Sequence, residues 1–316
     1  MEADLEKMKV KVAERRKLTE HICEFTLAPA NGEKLAPFTA GAHITVETPS
    51  GAMRRYSLVN DGEAPEFYKI ALKREADGRG GSKSMHDDAL EGTELTIEAP
   101  ENTFELSDAR EYLLIAGGIG VTPIYAMSQH LLREDKPFHV IYCTRSEEDT
   151  AFLDEMKSTL GNRLTLHHDG GDPDAVYDFW DHFEDPKDMK VYCCGPQPLL
   201  EEIEAISGHW PEGRVIFEDF KPVEVVREDD EPFEVRLEKS GTTVHVPADL
   251  SILEALRENG VATMSSCESG TCGTCKTRLI SGKADHRDMV LMDEEKDDYV
   301  MICVSRAKEG DLVLDL

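Results

Sequence analysis

A multidomain chain is what the sequence predicts: an antiparallel β-barrel, then an α/β doubly wound domain, then a small α+β domain. Three observations carry that prediction. The chain has 316 residues, more than one ordinary hydrophobic core organises. Near residue 111 the apolar pattern changes, from short β-like runs broken by Pro, Gly and Asp to apolar strands alternating with helices. An acidic, apolar-poor stretch at 224–232, reading EVVREDDEP, then has the composition of a solvated linker. The expected domains are therefore 1–105, 106–223 and 233–316, with the linker between the last two.

In the first segment, runs at 24–27, 43–48, 67–73 and 94–98 have the spacing of barrel strands. In the second, Tyr112, Leu113, Leu114, Ile115 and Ala116 form a continuous apolar run, followed by glycines and a helical stretch over 123–133. The alternation continues with a strand at 139–143, a helix at 151–160, strands at 164–168 and 190–193, a helix at 198–206 and a strand at 215–218. Strands separated by helices imply a parallel sheet, because each right-handed crossover needs a covering helix. In the third segment Phe233, Val235 and Leu237 alternate with charged residues, and Ser240 and Gly241 turn the chain toward Val244 and Val246. That pattern is a half-buried hairpin. Ile252, Leu253 and Leu256 then share a helical face that stops at Asn259 and Gly260.

Lys and Arg total 35 against 64 for Asp and Glu, a formal net charge of −29. Nucleic acid and anionic membrane surfaces are repelled by such a charge. Solubility and steering toward a basic or neutral protein partner both remain open as its purpose. No run of about 18 apolar residues occurs, so no ordinary spanning helix is expected. Residues 1–10 lack the apolar core of a secretory signal or membrane anchor. Cys23, Cys143, Cys193 and Cys194 form no disulfide framework, which points to a reducing, cytoplasmic compartment.

Cys267, Cys272 and Cys275, with Cys303 following, give the spacing C-x4-C-x2-C…C. That is the plant-type arrangement of four thiolates around a 2Fe-2S cluster. Small residues between the cysteines let the loop wrap closely and aim N–H groups at anionic sulfurs. The competing reading is a zinc clip. Such clips favour short C-x2-C pairs or histidine partners, and no histidine lies between Cys267 and Cys275.

Gly117, Gly118 and Gly120 follow a buried-type strand, with Thr122 suited to cap a helix and Pro123 to its first turn. A helix N-terminus offers unpaired N–H groups to a pyrophosphate; a glycine-rich turn without a ligand is the alternative. Cys194, Gly195 and Pro196 end a second strand, and strand C-termini in such sheets converge on one crevice. A small buried hydrophobe is the bland role for a free cysteine there. Arg54, Arg55, Tyr56 and Ser57 place cationic, aromatic and hydroxyl groups in one strand-like segment, as a phosphate-bearing flat ring requires, although an exposed strand face reads the same. Lys73 and Arg74, with Gly78, Arg79, Gly80, Gly81 and Ser82, add a basic, glycine-rich anion cradle. His167 and His168 are adjacent on a strand, point to opposite faces, and are not a metal pair.

Taken in order, these sites make the chain resemble the phthalate dioxygenase reductase family, the flavin, nicotinamide and ferredoxin proteins that feed Rieske-type oxygenases. The resemblance rests on Arg54 to Leu58, Gly78 to Ser82, Gly117 to Pro123, Cys194-Gly195-Pro196, Phe217-Glu218-Asp219-Phe220, the cysteine loop, and Ala284-Asp285-His286-Arg287-Asp288, with the closing stretch after Cys303. It implies an FMN-binding barrel, an NAD-binding α/β domain and a β-grasp ferredoxin domain. Arg54, Gly80, Gly81 and Ser82 are implied at the flavin phosphate, Tyr56 against the ring, Ser57 near flavin N5, and Thr122 and Phe220 beside the isoalloxazine. The turn from Gly117 to Gly120 is implied at NADH, and Cys194, Gly195 and Pro196 at the nicotinamide, so Ser57, Cys194 and Phe220 are the candidate catalytic residues. Arg55, Lys73 and Thr144 complete the implied cofactor contacts. Glu147, Glu148, Asp149 and Asp169 repel a 2′-phosphate while Arg145 attracts one, and NADH is expected over NADPH.

A pyridine nucleotide delivers two electrons as hydride and the cluster accepts one at a time, so a flavin between them is chemically needed. The expected function is the monomeric reductase component of a Rieske-type oxygenase system. A free-standing NADH-dependent reductase serving a quinone or soluble carrier is the alternative, and a zinc-held interaction module the reading from another class.

Overall fold

The structure is a computed structural model, which describes residues 7–75, 80–220, 227, 229–265, 270 and 273–316. Two compact units divide the chain, Met1–Phe220 and Lys221–Leu316. In the first, strands β1 (Met8–Lys17), β2 (Ile22–Pro29), β3 (His43–Glu47), β4 (Met53–Ser57) and β5 (Tyr68–Lys73), helix α1 (Gly81–Asp88) and strand β6 (Glu94–Ile97) come first. Their sheet runs β4-β3-β6-β1-β2-β5, with antiparallel pairing throughout. A bridge between Leu58 and Ile70 joins its two edges, turning the sheet into a barrel without free edges. Phe25, Ile44, Ile70 and Met85 fill it. β1 falls outside the runs expected from the sequence. Only Val10 and Val12 of its ten residues are buried, too short an alternation to separate from a solvated charged segment.

Strand β7 (Tyr112–Gly117), helix α2 (Val121–Arg133), β8 (Phe138–Thr144), α3 (Leu153–Leu160), β9 (Leu164–His168), α4 (Trp180–Phe183), β10 (Lys190–Cys194), α5 (Gln197–Ser207) and β11 (Val215–Glu218) follow. The five strands pair in parallel in the order β11-β10-β7-β8-β9. Helices cover both faces. Leu114, Val140, Tyr142 and Cys194 pack with α2 and α3, whereas Leu113, Ile115, Ile141 and Cys193 pack with α4 and α5. This two-sided burial is why β7 is apolar without alternation. The chain leaves β7 toward β8 on one side and returns to β10 on the other, so the ends of β7 and β10 flank the topological switch point. Ile22, Val59, Ala71 and Phe104 of the barrel side share a core with α2 and α3, and the junction at 105/106 therefore lies inside one compact unit.

The second unit holds β12 (Phe233–Leu237), β13 (Thr243–Val246), α6 (Ile252–Glu258), β14 (Lys276–Asp285), β15 (Tyr299–Met301) and β16 (Arg306–Leu314). Its mixed sheet runs β13-β12-β16-β14-β15, with β12 and β16 parallel, and α6 buries Ile252, Leu253 and Leu256 in its core. A helix packed on such a sheet is the β-grasp arrangement that the family resemblance implies. Ser251 caps α6 by accepting from the Glu254 N–H at 3.1 Å, and the Glu254 carboxylate returns a bond to the Ser251 N–H at 2.9 Å. Gly260 follows at φ +73°, the left-handed turn after a helix that glycine adopts without strain.

Candidate functional site

β4 pairs with β3 so that Ser57 faces His43 and Arg54 faces Val46. Strand alternation puts Arg54 and Tyr56 on one face, Arg55 and Ser57 on the other. The hydroxyls of Tyr56 and Ser57 are buried without a hydrogen-bond partner among the described residues. Burial pushes the Tyr56 phenol well above its usual range, opposed by the charge of Arg54. Arg54 itself lies over the start of α1. A Cβ on Gly81 would stand 3.0 Å from its Cγ and its Nε. Gly80 precedes at φ +82°, and the first turn of α1 holds no acidic residue. Arg54 Nη1 donates to the Met53 carbonyl at 2.7 Å, and a guanidinium beside the positive end of a helix offers a phosphate two attractive groups at once. The Ser82 hydroxyl accepts from the Glu75 N–H at 3.1 Å, and Lys73 is paired with Glu75 at 3.0 Å. Gly78 and Arg79 lie outside the described residues.

Glu218 ends β11, opposite Cys194 in register. Its Oε2 is a further buried atom without a partner, and burial pushes its carboxyl up to about 8 against the lowering effect of Arg55. Glu218 lies within the Phe217-Glu218-Asp219-Phe220 stretch and receives no role from the sequence alone. An acidic residue closing an apolar parallel strand, where ligands gather in such sheets, was the available signal. Phe217 and Phe220 beside it are 36% and 39% exposed, so their rings remain able to cover a ligand. Each of these buried atoms on Tyr56, Ser57 and Glu218, left without a partner among the described residues, is hydrogen-bonding capacity that a bound polar molecule can complete. FMN fits that donor set, and Arg54 with the α1 N-terminus fits its phosphate.

At the switch point the glycines do more than admit a ligand. A Cβ on Gly117 would meet Pro196 Cδ at 2.5 Å, and one on Gly120 would meet the Cys194 carbonyl oxygen at 2.2 Å. Gly195 is likewise 3.0 Å from Gly117 Cα by the same measure. These three glycines lock the two strand-end loops together. Gly118, at φ +53°, has open space where its Cβ would be, and the Tyr142 hydroxyl donates to its carbonyl at 3.1 Å. Thr122 is not the helix cap that the sequence suggested. α2 begins at Val121 with Gly120 at the cap position, and Thr122, buried inside the first turn, donates its hydroxyl to the Ile119 carbonyl at 3.1 Å. The short helical turn at Gly118–Gly120 draws the start of α2 upstream. Pro123 remains in the first turn, where its missing N–H is harmless.

The Cys194 thiol is fully buried, and burial holds it well above its usual value, with Glu218 adding to the shift. It is therefore a neutral, small apolar surface beneath the crevice. Cys193 points to the opposite face of the sheet. Around the ends of β8 and β9, the Asp169 N–H donates to the Thr144 carbonyl (3.2 Å) and the Gly170 N–H to the Arg145 carbonyl (2.8 Å). The Thr144 hydroxyl lies 2.8 Å from both Thr150 Oγ1 and His168 Nδ1. Arg145 and Asp169 are thereby brought side by side. His167 bonds the Ala175 carbonyl at 2.7 Å, so the two histidines serve separate partners.

In the second unit Cys275 and Cys303 are both buried, with sulfurs 3.0 Å apart. A disulfide is about 2.05 Å, so this pair is two converging thiols, the donor chemistry a thiolate-bound cluster needs. Cys267 and Cys272 lie outside the described residues. Gly270 and Gly273, in the same loop, have φ of +74° and +81°, and Val304 Cγ2 lies 2.9 Å from where a Gly270 Cβ would be. Only glycine allows the loop to fold so closely beside Cys303.

The three sites together define an oxidoreductase that joins flavin and pyridine nucleotide chemistry to an iron–sulfur module. Residues 235–308 match the 2Fe-2S iron-sulfur cluster binding domain, and 114–205 match the oxidoreductase NAD-binding domain. The chain is 48% identical to phthalate dioxygenase reductase of Burkholderia cepacia, covering 98% of this chain and 97% of that protein. It is also 48% identical to the phthalate 4,5-dioxygenase oxygenase reductase subunit of Pseudomonas putida, covering 97% and 96%. A solved structure of phthalate dioxygenase reductase, described as modular for electron transfer from pyridine nucleotides to 2Fe-2S, superposes with a TM-score of 0.86 at 47% identity, over 98% of each chain. The chain belongs to the phthalate dioxygenase reductase family. It is an NADH-dependent oxidoreductase that uses FMN and a 2Fe-2S cluster and supplies electrons to an oxygenase.

Proposed function

We propose that the oxygenase served by this chain is of the Rieske type, and that the residues described above divide the work as follows. Arg54, Gly80, Gly81 and Ser82 hold the FMN phosphate at the start of α1. Tyr56 and Ser57 offer their unsatisfied hydroxyls to the flavin, and Phe220 covers it. The Gly117 to Gly120 turn with Cys194, Gly195 and Pro196 forms the nicotinamide side, while Thr144, Arg145 and Asp169 face the far end of NADH. Cys267, Cys272, Cys275 and Cys303 ligate the cluster. Bound FMN supplies the exchange between a hydride pair and single electrons. Around it, Glu218 keeps a proton on its buried carboxyl at neutral pH, and Cys194 excludes water as a neutral thiol. The chain works as a cytoplasmic monomer with domains at 1–105, 106–223 and 233–316; among the described residues no helix is long and apolar enough to cross a membrane.

The observation that carries the flavin part of this reading is the Arg54 guanidinium over the start of α1, with the Tyr56 hydroxyl on the same strand face buried without a partner among the described residues. Cys303→Ser tests the route. It should leave NADH reduction of the flavin intact and abolish reduction of a purified Rieske oxygenase in a stopped-flow assay. Full-rate delivery by that variant would instead favour a flavin that bypasses the cluster.

A further inference from the structure

The stretch Ala284-Asp285-His286-Arg287-Asp288 carries no cofactor contact in the reading above, yet it anchors an ion-pair network. Arg287, 8% exposed, grips Asp230 with two bonds, Nη1 to Oδ2 at 2.8 Å and Nη2 to Oδ1 at 2.5 Å. Its Nε donates to Asp285 Oδ2 at 2.7 Å. A second cation, Arg306, is 1% exposed and reaches Asp230 Oδ2 at 3.3 Å. Arg306 also donates to the carbonyls of Glu231 (3.1 Å), Pro247 (3.0 Å) and Leu250. Asp230 thus lies between two buried guanidinium groups, at the point where the chain enters the second unit. Bidentate, charge-assisted geometry with little solvent makes this pair directional, unlike an exposed ion pair.

The same arginine begins the segment that lies on the cysteine loop. The Arg287 N–H donates to Ser305 Oγ at 3.3 Å, two residues after Cys303. Ser305 Oγ lies 3.5 Å from Asp288 Oδ1, and the other oxygen of that carboxylate accepts from the N–H groups of Val290 (3.1 Å) and Leu291 (2.8 Å). Next along, the Met289 N–H donates to the Gly270 carbonyl at 3.0 Å. Asp288 Cα lies 3.3 Å from where a Gly270 Cβ would be, and Val290 Cγ1 lies 3.5 Å from that of Gly273. Gly270 and Gly273 sit between the cysteines, so one continuous set of bonds runs from Asp230 through Arg287 to both cysteine-bearing loops.

We propose that Arg287 is a positioning residue for the cluster: by holding Asp230 it couples the chain entering the ferredoxin unit to the segment that braces the ligand loop. This rests on the four cysteines being cluster ligands. A buried ion pair contributes little net stability beside a well-packed apolar substitute, so its effect is on geometry. The test uses the purified holoprotein as Arg287→Lys and Asp230→Asn, with Val244→Ala as a control that loosens the same core on β13. Arg287→Lys keeps the buried charge, and with it the fold, while removing the two-bond grip.

Both clamp variants should shift the electron paramagnetic resonance signal and the reduction potential of the cluster. They should slow flavin-to-cluster transfer about tenfold, as a small misplacement of reacting groups does, with NADH-to-flavin reduction unchanged. Val244→Ala should melt earlier with a wild-type cluster signal. Wild-type signal, potential and transfer rate in Arg287→Lys would reduce the clamp to a purely structural element and overturn the proposal. An iron-free, colourless wild-type protein would defeat the underlying cluster reading instead.

Discussion

Tyr56, Ser57 and Glu218 each bury a polar atom that no group among the described residues satisfies, and such atoms are costly unless a ligand completes them. For Glu218 the consequence is a pH dependence. Its folded carboxyl sits at about 8, above the ordinary 4.5, so the folded state binds the extra proton between those values. Linkage then lowers stability as pH rises through that window. Flavin-free protein should lose more than about 1 kcal/mol between pH 5 and pH 8, and Glu218→Gln should flatten the slope in denaturant titrations. A second expectation concerns Arg54. If its guanidinium serves the phosphate, Arg54→Gln should weaken FMN binding roughly 10- to 100-fold, the worth of a charge-assisted hydrogen bond. Riboflavin, which has no phosphate, should bind both proteins equally in a fluorescence titration; an equal loss for both ligands would move Arg54 away from the phosphate.

Among the elements, the two loops at the switch point act as one part. Gly120 and Gly195 make backbone contact possible between them, so Gly120→Ala should force them apart. With the nearest atom a carbonyl oxygen 2.2 Å from the new Cβ, a loss of roughly 1–3 kcal/mol of stability is expected, as for other overpacked sites. Weaker NADH binding should accompany it. Gly118→Ala, in open space but at positive φ, should cost only about 1 kcal/mol, which thermal melts of the two variants would separate. The β7 run, the stop after α6 and the alternation in β12 were legible in the sequence because each has a strong local signal. β1 and α1 were not: the first buries two side chains, and the second starts in a stretch that reads as an anion-binding loop. The Thr122 cap was misplaced because the helical turn before α2 follows from packing against Cys194 and Gly195, which no local rule encodes.

Across the whole molecule, the barrel and the nucleotide half share a core containing Ile22, Val59, Phe104, Ile124 and Met127, so the residues proposed for flavin and nicotinamide lie in one compact unit. The cluster residues reside in the other. Both units are net acidic, which makes the partner's charge testable. If the −29 charge steers the oxygenase, kcat/KM for its reduction should fall severalfold between low salt and about 0.5 M salt, because exposed charges are screened beyond a few ångströms there. A salt-independent rate would leave solubility as the purpose of the charge.

Local signals alone establish the order of the three sheets and the chemistry available to them, because strand period, helix stops and cysteine spacing are local properties of the chain. The cysteine pattern, the glycine turn and the Arg54 to Ser57 strand needed no neighbours to be read. Three-dimensional packing sets which polar groups are buried without a partner among the described residues, why Gly117 and Gly120 must lack a side chain, and how Asp230 meets Arg287 from 57 residues away. Those facts depend on what lies opposite each residue in space, and burial turns an unremarkable glutamate or arginine into one whose charge must be answered.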